Sequence, residues 1–368
     1  MNMIFQIKQM IIIAVLLMTG FSSIAEEFSE NSAKPVGNET IKIGAILGMT
    51  GKAAITNKPQ YDYIKFSIDE VNAKGGVLGK KIEIVLIDNQ TSGLVSKKAA
   101  QQLVDAGVVA VVGPSWSSHA LGAAPVLQEA KIPMVATSAT NPAVTLVGDY
   151  IFRVCFIDSF QGEVMANFAL KDLGAKSAVV LTNAGSKYSL DLSGFFIKSF
   201  QELGGKVLWE GDYSASATDF KIQLDKTKGL NPDVIYVPGY VRDSGFIIKQ
   251  ARKMGILVPF LGSDGWGSDM YIYGGDYVSD NYYSDVWHQD DPREISKNFV
   301  EHFEKEYGKL NTPPLPYDAV MLLVDAIKRA NSTEPQKIQQ ALAQTKNFAG
   351  ATGKITFDEN GDPINKSA

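Results

Sequence analysis

From residue 41 onward the chain alternates short apolar runs with longer segments of helical period, and this rhythm restricts the possible folds more than any other feature. The apolar runs are rich in β-branched residues, and most show no alternation of apolar and polar side chains. Such runs are typical of strands that are covered on both faces, as in a parallel sheet. The predicted strands are residues 41–47, 81–88, 108–114, 132–137, 177–183, 233–240 and 258–264.

The segments between these strands have the spacing of amphipathic helices. In the first of them Ile64, Ile68 and Val71 recur at i, i+4 and i+7, and a double glycine follows where a helix commonly ends in a left-handed residue. A second series of strand, helix and strand covers residues 178–213 and has its own double glycine after the helix. Two such series predict an α/β protein with two doubly wound, Rossmann-like lobes.

Two extended segments, 150–160 and 281–292, interrupt these series and are predicted to cross between the lobes as hinge strands. Strong helical patterns at 292–307 and 317–330 follow the second crossing, and we expect them to complete the first lobe. Ligands of such folds bind in the crevice at the carboxyl ends of the strands, so a cleft between the lobes is the predicted site. The predicted boundaries are 41–157 plus 287–355 for the first lobe and 158–286 plus 356–368 for the second.

The amino-terminal segment MNMIFQIKQMIIIAVLLMTGFSSIA predicts a cleavable signal peptide over residues 1–25. It has a lysine at position 8, an apolar run from Met10 to Met18 and small residues before the expected cleavage point. A permanent anchor is the weaker alternative, because a bilayer span needs about 20 apolar residues. Residues 26–40 are polar and are interpreted as a flexible lead-in. The lone Cys155 excludes an internal disulfide, and export without disulfides favours a bacterial periplasm.

Composition excludes some classes of partner. Hydrophobic residues make up 45% of the chain and charged residues 20%, which is typical of a folded globular protein. The formal net charge of −5 makes nucleic acid and anionic membrane surfaces poor partners.

Signals for catalysis or a cofactor are weak. The three histidines, His119, His288 and His302, have no metal-ligand spacing with one another or with the cysteine, so we expect no metal, cofactor or catalytic residue. His119 is interpreted as a surface polar residue at a helix start. Asp88 and Asp264 both end strands, which leaves a carboxylate pair of the glycosidase kind as a weaker alternative. For Asp88 a turn or cap role is favoured.

The predicted strand ends carry two different kinds of side chain. Uncharged donors dominate GPSWSS (113–118) and TSATNP (137–142) in the first lobe, whereas tyrosine and aspartate follow the strands of the second. Hydroxyls and backbone N–H groups at a helix start can hold a carboxylate, and an ammonium group needs an anion. The two sets together therefore indicate a zwitterionic ligand with Asp264 as the anion and Tyr188 and Tyr240 as a wall. Each Ser or Thr taken alone is better explained as a helix cap, and only the set as a whole indicates a ligand.

Several stretches resemble the type I periplasmic binding proteins of the branched-chain amino acid class, which supply ABC importers. They are IKIGAILGMTGKAA, SIDEVNAKGGVLGKKIEIVLIDNQ, VVGPSWSSHALGAAPVLQEAKIPMVATSATNP, DVIYVPGY and FLGSDGW, and the resemblance extends over nearly all of 41–368. It implies that Ser117 and Thr140 hold the ligand carboxylate, and that the Ser138 carbonyl and Asp264 hold the ammonium. Ala139, which lies between Ser138 and Thr140, is included in the predicted binding stretch, and Tyr188 and Tyr240 match the cleft tyrosines of the family.

The chain departs from this family in three places. Asp264 stands where the relatives have glutamate, which is one methylene longer. The loop GMTGKAAITN (48–57) has no aromatic residue to line the ligand pocket, so Trp116 and Trp266 are expected to shape it. The final segment GKITFDENGDPINKSA predicts the start of a hairpin, where family members continue with a further strand. Either truncation or the loss of an edge strand from the second lobe would account for this, with some loss of stability and none of the site.

The resemblance implies a non-enzymatic, monomeric periplasmic protein that captures a free amino acid and delivers it to an ABC permease. A receptor for another small polar solute, an amide or an aromatic acid, serving uptake or sensing, remains as an alternative.

Overall fold

The computed structural model describes residues 39–310, 312–364, 366 and 367. The predicted signal peptide and nearly all of the predicted lead-in lie outside these residues. No helix in the described part of the chain combines the length and hydropathy that a bilayer crossing requires.

The first lobe is built on a parallel sheet of five strands in the order β2-β1-β3-β4-β5. The four strands predicted here are confirmed, the first with its predicted bounds and the others shorter than predicted. The short central strands are buried along their whole length, as expected of a sheet with helices on both faces. β5 lies within the segment that was predicted only as an extended crossing. The strands are β1 (Ile41–Leu47), β2 (Ile82–Asp88), β3 (Ala110–Val112), β4 (Met134–Ala136) and β5 (Ile151–Arg153).

The second lobe repeats the design with five parallel strands in the order β10-β9-β8-β6-β7. The confirmed α/β class and the two parallel sheets follow from the alternation of apolar runs and helical segments, because parallel neighbours need a helical crossover between them. The strands are β6 (Ser177–Asn183), β7 (Lys206–Tyr213), β8 (Val234–Tyr236), β9 (Phe260–Gly262) and β10 (Tyr282–Tyr283).

The helices cover the faces of the two sheets. The first ends where predicted: Gly75 and Gly76 have φ of 93° and 79°, and a Cβ on Gly76 would lie 2.0 Å from the Lys80 carbonyl oxygen. The helices are α1 (Ala54–Ala73), α2 (Gly93–Asp105), α3 (Ser117–Glu129), α4 (Asp158–Lys171), α5 (Lys187–Glu202), α6 (Lys221–Leu230), α7 (Val241–Lys253), α8 (Met270–Gly274), α9 (Glu294–Tyr307), α10 (Leu315–Ala330) and α11 (Pro335–Ala343), with 3₁₀ turns at Pro142–Val147 and Gly275–Val278.

Helices that follow the second crossing pack on the first lobe. Leu322, Leu323 and Ile327 of α10 are fully buried in the same apolar cluster as Ile43 and Val112 of the first sheet. The hairpin of β11 (Phe348–Gly350) and β12 (Gly353–Ile355) follows, with antiparallel pairing.

The carboxyl-terminal segment corrects one predicted boundary. Residues 356–368 were assigned to the second lobe, but the contacts of the described residues join this segment to the first lobe. Phe357 packs on Phe152 with ring centroids 5.2 Å apart, and the Arg153 N–H donates to the Gly361 carbonyl. Asp358 accepts hydrogen bonds from the N–H groups of Asn360 and Asp362, which forms the predicted turn. That turn places Asp362 against the buried guanidinium of Arg153.

Candidate functional site

A cavity of about 650 Å³ lies between the two lobes, at the carboxyl ends of the strands. Its volume falls in the range of small-molecule sites. Seven of the residues predicted from the sequence line it, and they come from both lobes: Trp116, Ser117, Ser138, Tyr188, Tyr240, Asp264 and Trp266. Ala139 and Thr140, also predicted, lie behind this wall.

The first lobe presents the start of helix α3 to the cavity. Ser117 begins this helix, and the first intrahelical bonds run from the N–H groups of His119 and Ala120 to the Trp116 carbonyl. The N–H groups of Ser117 and Ser118 precede these bonds, so they belong to the unsatisfied donors that every helix start carries. The positive end of the helix dipole adds to them, which makes this edge suited to a carboxylate.

The loop at 137–142 is held rigid from behind. The buried Arg153 side chain donates from Nη1 to the Ala139 carbonyl at 2.6 Å, and the Ser117 hydroxyl accepts from the Asn141 N–H at 3.2 Å. Asn141 in turn accepts from the Ala143 N–H at 3.0 Å and caps the following 3₁₀ turn. Part of this polar stretch is therefore a cap, and Ser138 is the member that reaches the cavity.

Thr140 lies deeper than the sequence predicted. Its side chain is fully buried, its hydroxyl has no exposed surface, and that hydroxyl lies beside the Asp158 carboxyl. The Thr140 carbonyl accepts from the Asp158 N–H at 2.9 Å. A direct bond from this hydroxyl to a ligand carboxylate would require the loop to shift, because the loop backbone lies between the hydroxyl and the cavity.

Asp264 is the acid of the second-lobe wall. Its Oδ1 accepts hydrogen bonds from the Tyr188 hydroxyl at 2.8 Å and from Gln161 Nε2 at 2.9 Å. Within the described residues no lysine or arginine forms an ion pair with it, and Oδ2 has no protein partner. Burial raises the pKa of this carboxyl to about 6, and its hydrogen bonds to Gln161, to Tyr188 and to its own backbone oppose that rise. An acid with one free oxygen and no cation of its own is suited to bind one from outside.

Aromatic rings close the cavity between the lobes. Trp116 of the first lobe stacks on Tyr240 of the second with centroids 3.8 Å apart and planes at 7°, and Tyr188 stacks on Tyr240 at 5.3 Å. Beside them, Asn141 donates to Asp191 at 2.8 Å, again from one lobe to the other. The two lobes are thus in contact across the cleft, and water has limited access to Asp264.

The loop after the first strand supplies a polar side of the cavity. Asp88 accepts from the N–H groups of Met49, Thr50 and Gln90 and from the Thr50 hydroxyl, which confirms its role as a turn residue. These bonds hold the Asp88 pKa below its ordinary value despite partial burial. The fixed loop places Lys52 in the cavity wall, and Thr56 of the helix α1 that follows also lines it.

Trp266 contributes less to the cavity than Trp116. Its indole N–H donates to the Val237 carbonyl at 3.1 Å, and only 5% of the side chain is exposed. Most of the ring is core of the second lobe.

Comparison with known proteins identifies the family of the chain. Residues 40–368 match a family model described as periplasmic binding protein. The chain belongs to the periplasmic binding protein family. The resemblance found in the sequence is thereby confirmed.

Named relatives of this periplasmic binding protein extend over nearly its whole length. A Leu/Ile/Val-binding protein of Rhizobium johnstonii is 29% identical over 90% of this chain and 91% of its own. A leucine-, isoleucine-, valine-, threonine- and alanine-binding protein of Pseudomonas aeruginosa is 28% identical over 88% of this chain and 87% of its own.

Solved structures of similar proteins confirm the fold. A leucine binding protein from Thermotoga maritima has a TM-score of 0.85 and 39% identity, covering 88% of this chain and 93% of its own. A branched-chain amino acid transporter substrate binding protein from Streptococcus pneumoniae, in complex with isoleucine, has a TM-score of 0.84 and 32% identity, covering 88% and 94%. A solute binding protein of an ABC transporter from Rhodopseudomonas palustris, in complex with 3,4-dihydroxybenzoic acid, has a TM-score of 0.77 and 26% identity, covering 88% and 90%.

Several residues at or near the site of this periplasmic binding protein had no such role in the sequence prediction, and His119, Asp285, Asp158 and Gln161 are among them. His119 was interpreted as a surface residue, and that is wrong: it is 3% exposed and stacks beside Trp116 at 5.2 Å, because the start of α3 faces inward. Burial lowers its pKa to about 4, so the ring is neutral. Asp285 lines the cavity, and burial together with the charge of Asp264 raises its pKa well above the ordinary value. Asp158 and Gln161 lie at the start of α4, behind Asp264.

In the described part of the chain, no group of three or more His, Cys, Asp or Glu side chains is placed to hold a metal ion.

Proposed function

We propose that this protein is a substrate-binding component of an ABC importer that captures a free amino acid in the interlobe cavity. The observation that carries the proposal is the placement of Asp264, an acid without a protein cation, across the cavity from the uncharged donors at the start of α3. Such a pair of sites fits the two charges of a zwitterion. The Leu/Ile/Val-binding names of the relatives and the isoleucine complex support a branched-chain or similar amino acid.

The proposal assigns the two charged groups of the ligand to different lobes. The Ser117 hydroxyl and the free N–H groups beside it bind the carboxylate, with Thr140 joining them only after a shift of its loop. Asp264 Oδ2 and the Ser138 carbonyl bind the ammonium. Tyr188, Tyr240 and Trp116 exclude water once the lobes have closed, which strengthens both electrostatic contacts.

Export and partners belong to the same proposal. The predicted signal peptide directs the chain to the periplasm, where it works as a monomer, and the closed form is what the inner-membrane permease recognises. A role in sensing would use the same binding site with a different partner.

A thermal-shift screen of the mature protein tests the proposal. Free amino acids, small amides and 3,4-dihydroxybenzoic acid are compared at equal concentration. A ligand at 100 times its dissociation constant adds about 2.7 kcal/mol to the free energy of unfolding, so a branched-chain amino acid is expected to raise the melting temperature clearly. A shift with the aromatic acid and none with any amino acid would favour the alternative receptor, and no shift at all would contradict both.

Acid is expected to weaken amino-acid binding. The raised pKa of about 6 means that unliganded Asp264 is ionised above this pH and gains a proton below it. A protonated carboxyl does not pair with an ammonium group, so the dissociation constant should rise about tenfold for each pH unit below 6. Neither α-group of a free amino acid changes charge between pH 7 and 5. Calorimetric titrations across this range test the prediction, and a constant affinity down to pH 5 would argue against Asp264 as the partner.

A further inference from the structure

Gln161 forms four hydrogen bonds behind the acid of the site. Its amide is fully buried, and Nε2 donates to Asp158 Oδ1 at 2.8 Å and to Asp264 Oδ1 at 2.9 Å. Its Oε1 accepts from the Ser284 hydroxyl at 3.0 Å and from the Asp264 N–H at 3.4 Å. Because both ends of the amide are occupied, its orientation is fixed.

The partners of Gln161 come from three separate parts of the chain. Asp158 lies where the first crossing between the lobes passes into helix α4, Ser284 lies in the second crossing, and Asp264 follows strand β9. Crossings between lobes are the segments that absorb the change in backbone angles when a two-lobed protein closes. Asp264 is therefore tied to residues of both crossings as well as to the interior of its own lobe.

We infer that Gln161 is a positioning residue that orients the Asp264 carboxylate toward the ligand ammonium from the hinge. Its bond and that of Tyr188 both end on Oδ1, which leaves Oδ2 as the oxygen directed to the cavity. Without Gln161, the tyrosine would be the only other side chain that restrains the carboxylate, and rotation of the carboxylate would reduce affinity. The inference rests on the proposed amino-acid binding.

Asp158 supports this arrangement. Its side chain is fully buried, and its Oδ2 has no hydrogen-bond partner among the described residues. Burial, and next the charge of Asp264, raise its pKa to about 8, while Thr140, Gln161 and Arg153 lower it. Asp158 therefore holds a proton at neutral pH. Gln161 thus bridges the neutral Asp158 and the charged Asp264. This link places no second negative charge beside Asp264.

The test compares Gln161→Leu with the wild type by calorimetry at pH 7, using L-leucine and 4-methylpentanoate, which is leucine without its ammonium group. Hydrogen bonds to charged groups are the stronger ones, so we expect leucine binding to weaken about tenfold or more and 4-methylpentanoate binding to change little. Loss of a bond that lowers the Asp264 pKa should also move the pH at which leucine binding fails to a higher value.

Two controls separate positioning from a general loss of structure. Gln250→Leu removes another bridging glutamine of the second lobe, which donates to the Thr218 carbonyl and accepts from the Phe220 N–H away from the cavity, and should leave leucine affinity unchanged. In an Asp264→Asn background, Gln161→Leu should have no further effect on leucine binding, because positioning acts through the charge. If Gln161→Leu does not fold, Gln161→Asn keeps the amide on a shorter arm and should show the same pattern.

The outcomes distinguish the two proposals. Wild-type protein that binds none of the amino acids contradicts both. Wild-type binding of leucine that is equally strong in Gln161→Leu, or an equal loss for both ligands, contradicts the inference and leaves the proposed function standing.

Discussion

Asp264→Asn is expected to abolish tight amino-acid binding and to leave the melting temperature of the unliganded protein nearly unchanged. The amide retains an oxygen that can accept from Tyr188 and Gln161, so the local structure survives. Only the charge that would pair with the ligand ammonium is lost. Removing one member of a buried charge pair costs 2–5 kcal/mol or more in binding, which corresponds to a loss of about 30-fold to several thousand-fold.

Calorimetry measures the affinity, and a thermal melt without ligand measures the stability. Asp233→Asn is the matched control, because Asp233 is an exposed acid of the same lobe that accepts from the N–H groups of Lys176 and Ser177. These bonds hold its pKa below the ordinary value, so its loss should lower the melting temperature and leave ligand affinity unchanged. Retained affinity in Asp264→Asn would contradict the role assigned to this acid.

Asp362→Ala is expected to lower the free energy of unfolding by about 3–5 kcal/mol, the cost of leaving a buried charge without its partner. Arg153 is fully buried and its Nε lies 2.5 Å from Asp362 Oδ1. Its other nitrogens donate to the Ala139 carbonyl and the Thr145 hydroxyl, which are neutral groups. The Arg153 charge therefore depends on one acid near the end of the chain.

Urea denaturation measures this effect, and the slope of the free energy of unfolding against urea concentration shows whether the compactness of the unfolded state has changed. Asp225→Ala serves as the control, since Asp225 pairs with Lys221 on an exposed helix surface and such pairs contribute about 0–1 kcal/mol. Because Arg153 also holds the Ala139 carbonyl, Asp362→Ala should loosen the loop beside Ser138 and reduce ligand affinity as well. A loss of stability no larger than that of Asp225→Ala would contradict this account.

The ion pair between Asp362 and Arg153 gives the carboxyl-terminal segment a structural role in the first lobe. From the sequence, the segment was assigned to the second lobe and was expected to have no role in the site. In the structure the segment packs on the first lobe and supports the loop that faces the ligand. We therefore expect changes near Asp362 to affect both folding and binding.

Most of the fold could be predicted from local pattern. Runs such as 41–47 and 177–183 are confirmed as strands. They could be predicted because they are mostly apolar without regular alternation, a pattern typical of strands in a sheet covered on both faces. Trp116, Ser117, Ser138, Tyr188, Tyr240 and Asp264 do lie on one cavity, because parallel strands bring their carboxyl ends to the same edge of a sheet.

Other features depended on contacts between residues that are distant in sequence. His119 has the neighbours of a surface helix start, and only the packing of α3 buries it. Thr140 is buried because the loop after β4 packs against the first crossing, where the Asp158 N–H donates to the Thr140 carbonyl. The spacing of these two residues in the sequence does not predict this contact.

By itself, then, the sequence determined the two-lobed α/β architecture, the family and the separation of uncharged donors from acid across a cleft. These follow from periodicity and strand ends, which are local properties of the chain. Only the tertiary structure decided that Gln161 bonds to Asp264, that burial raises the pKa of Asp158 behind it, and that Asp362 pairs with Arg153. Each of these is a buried polar contact whose geometry depends on the relative orientation of separate elements, and no local pattern of residues encodes that orientation.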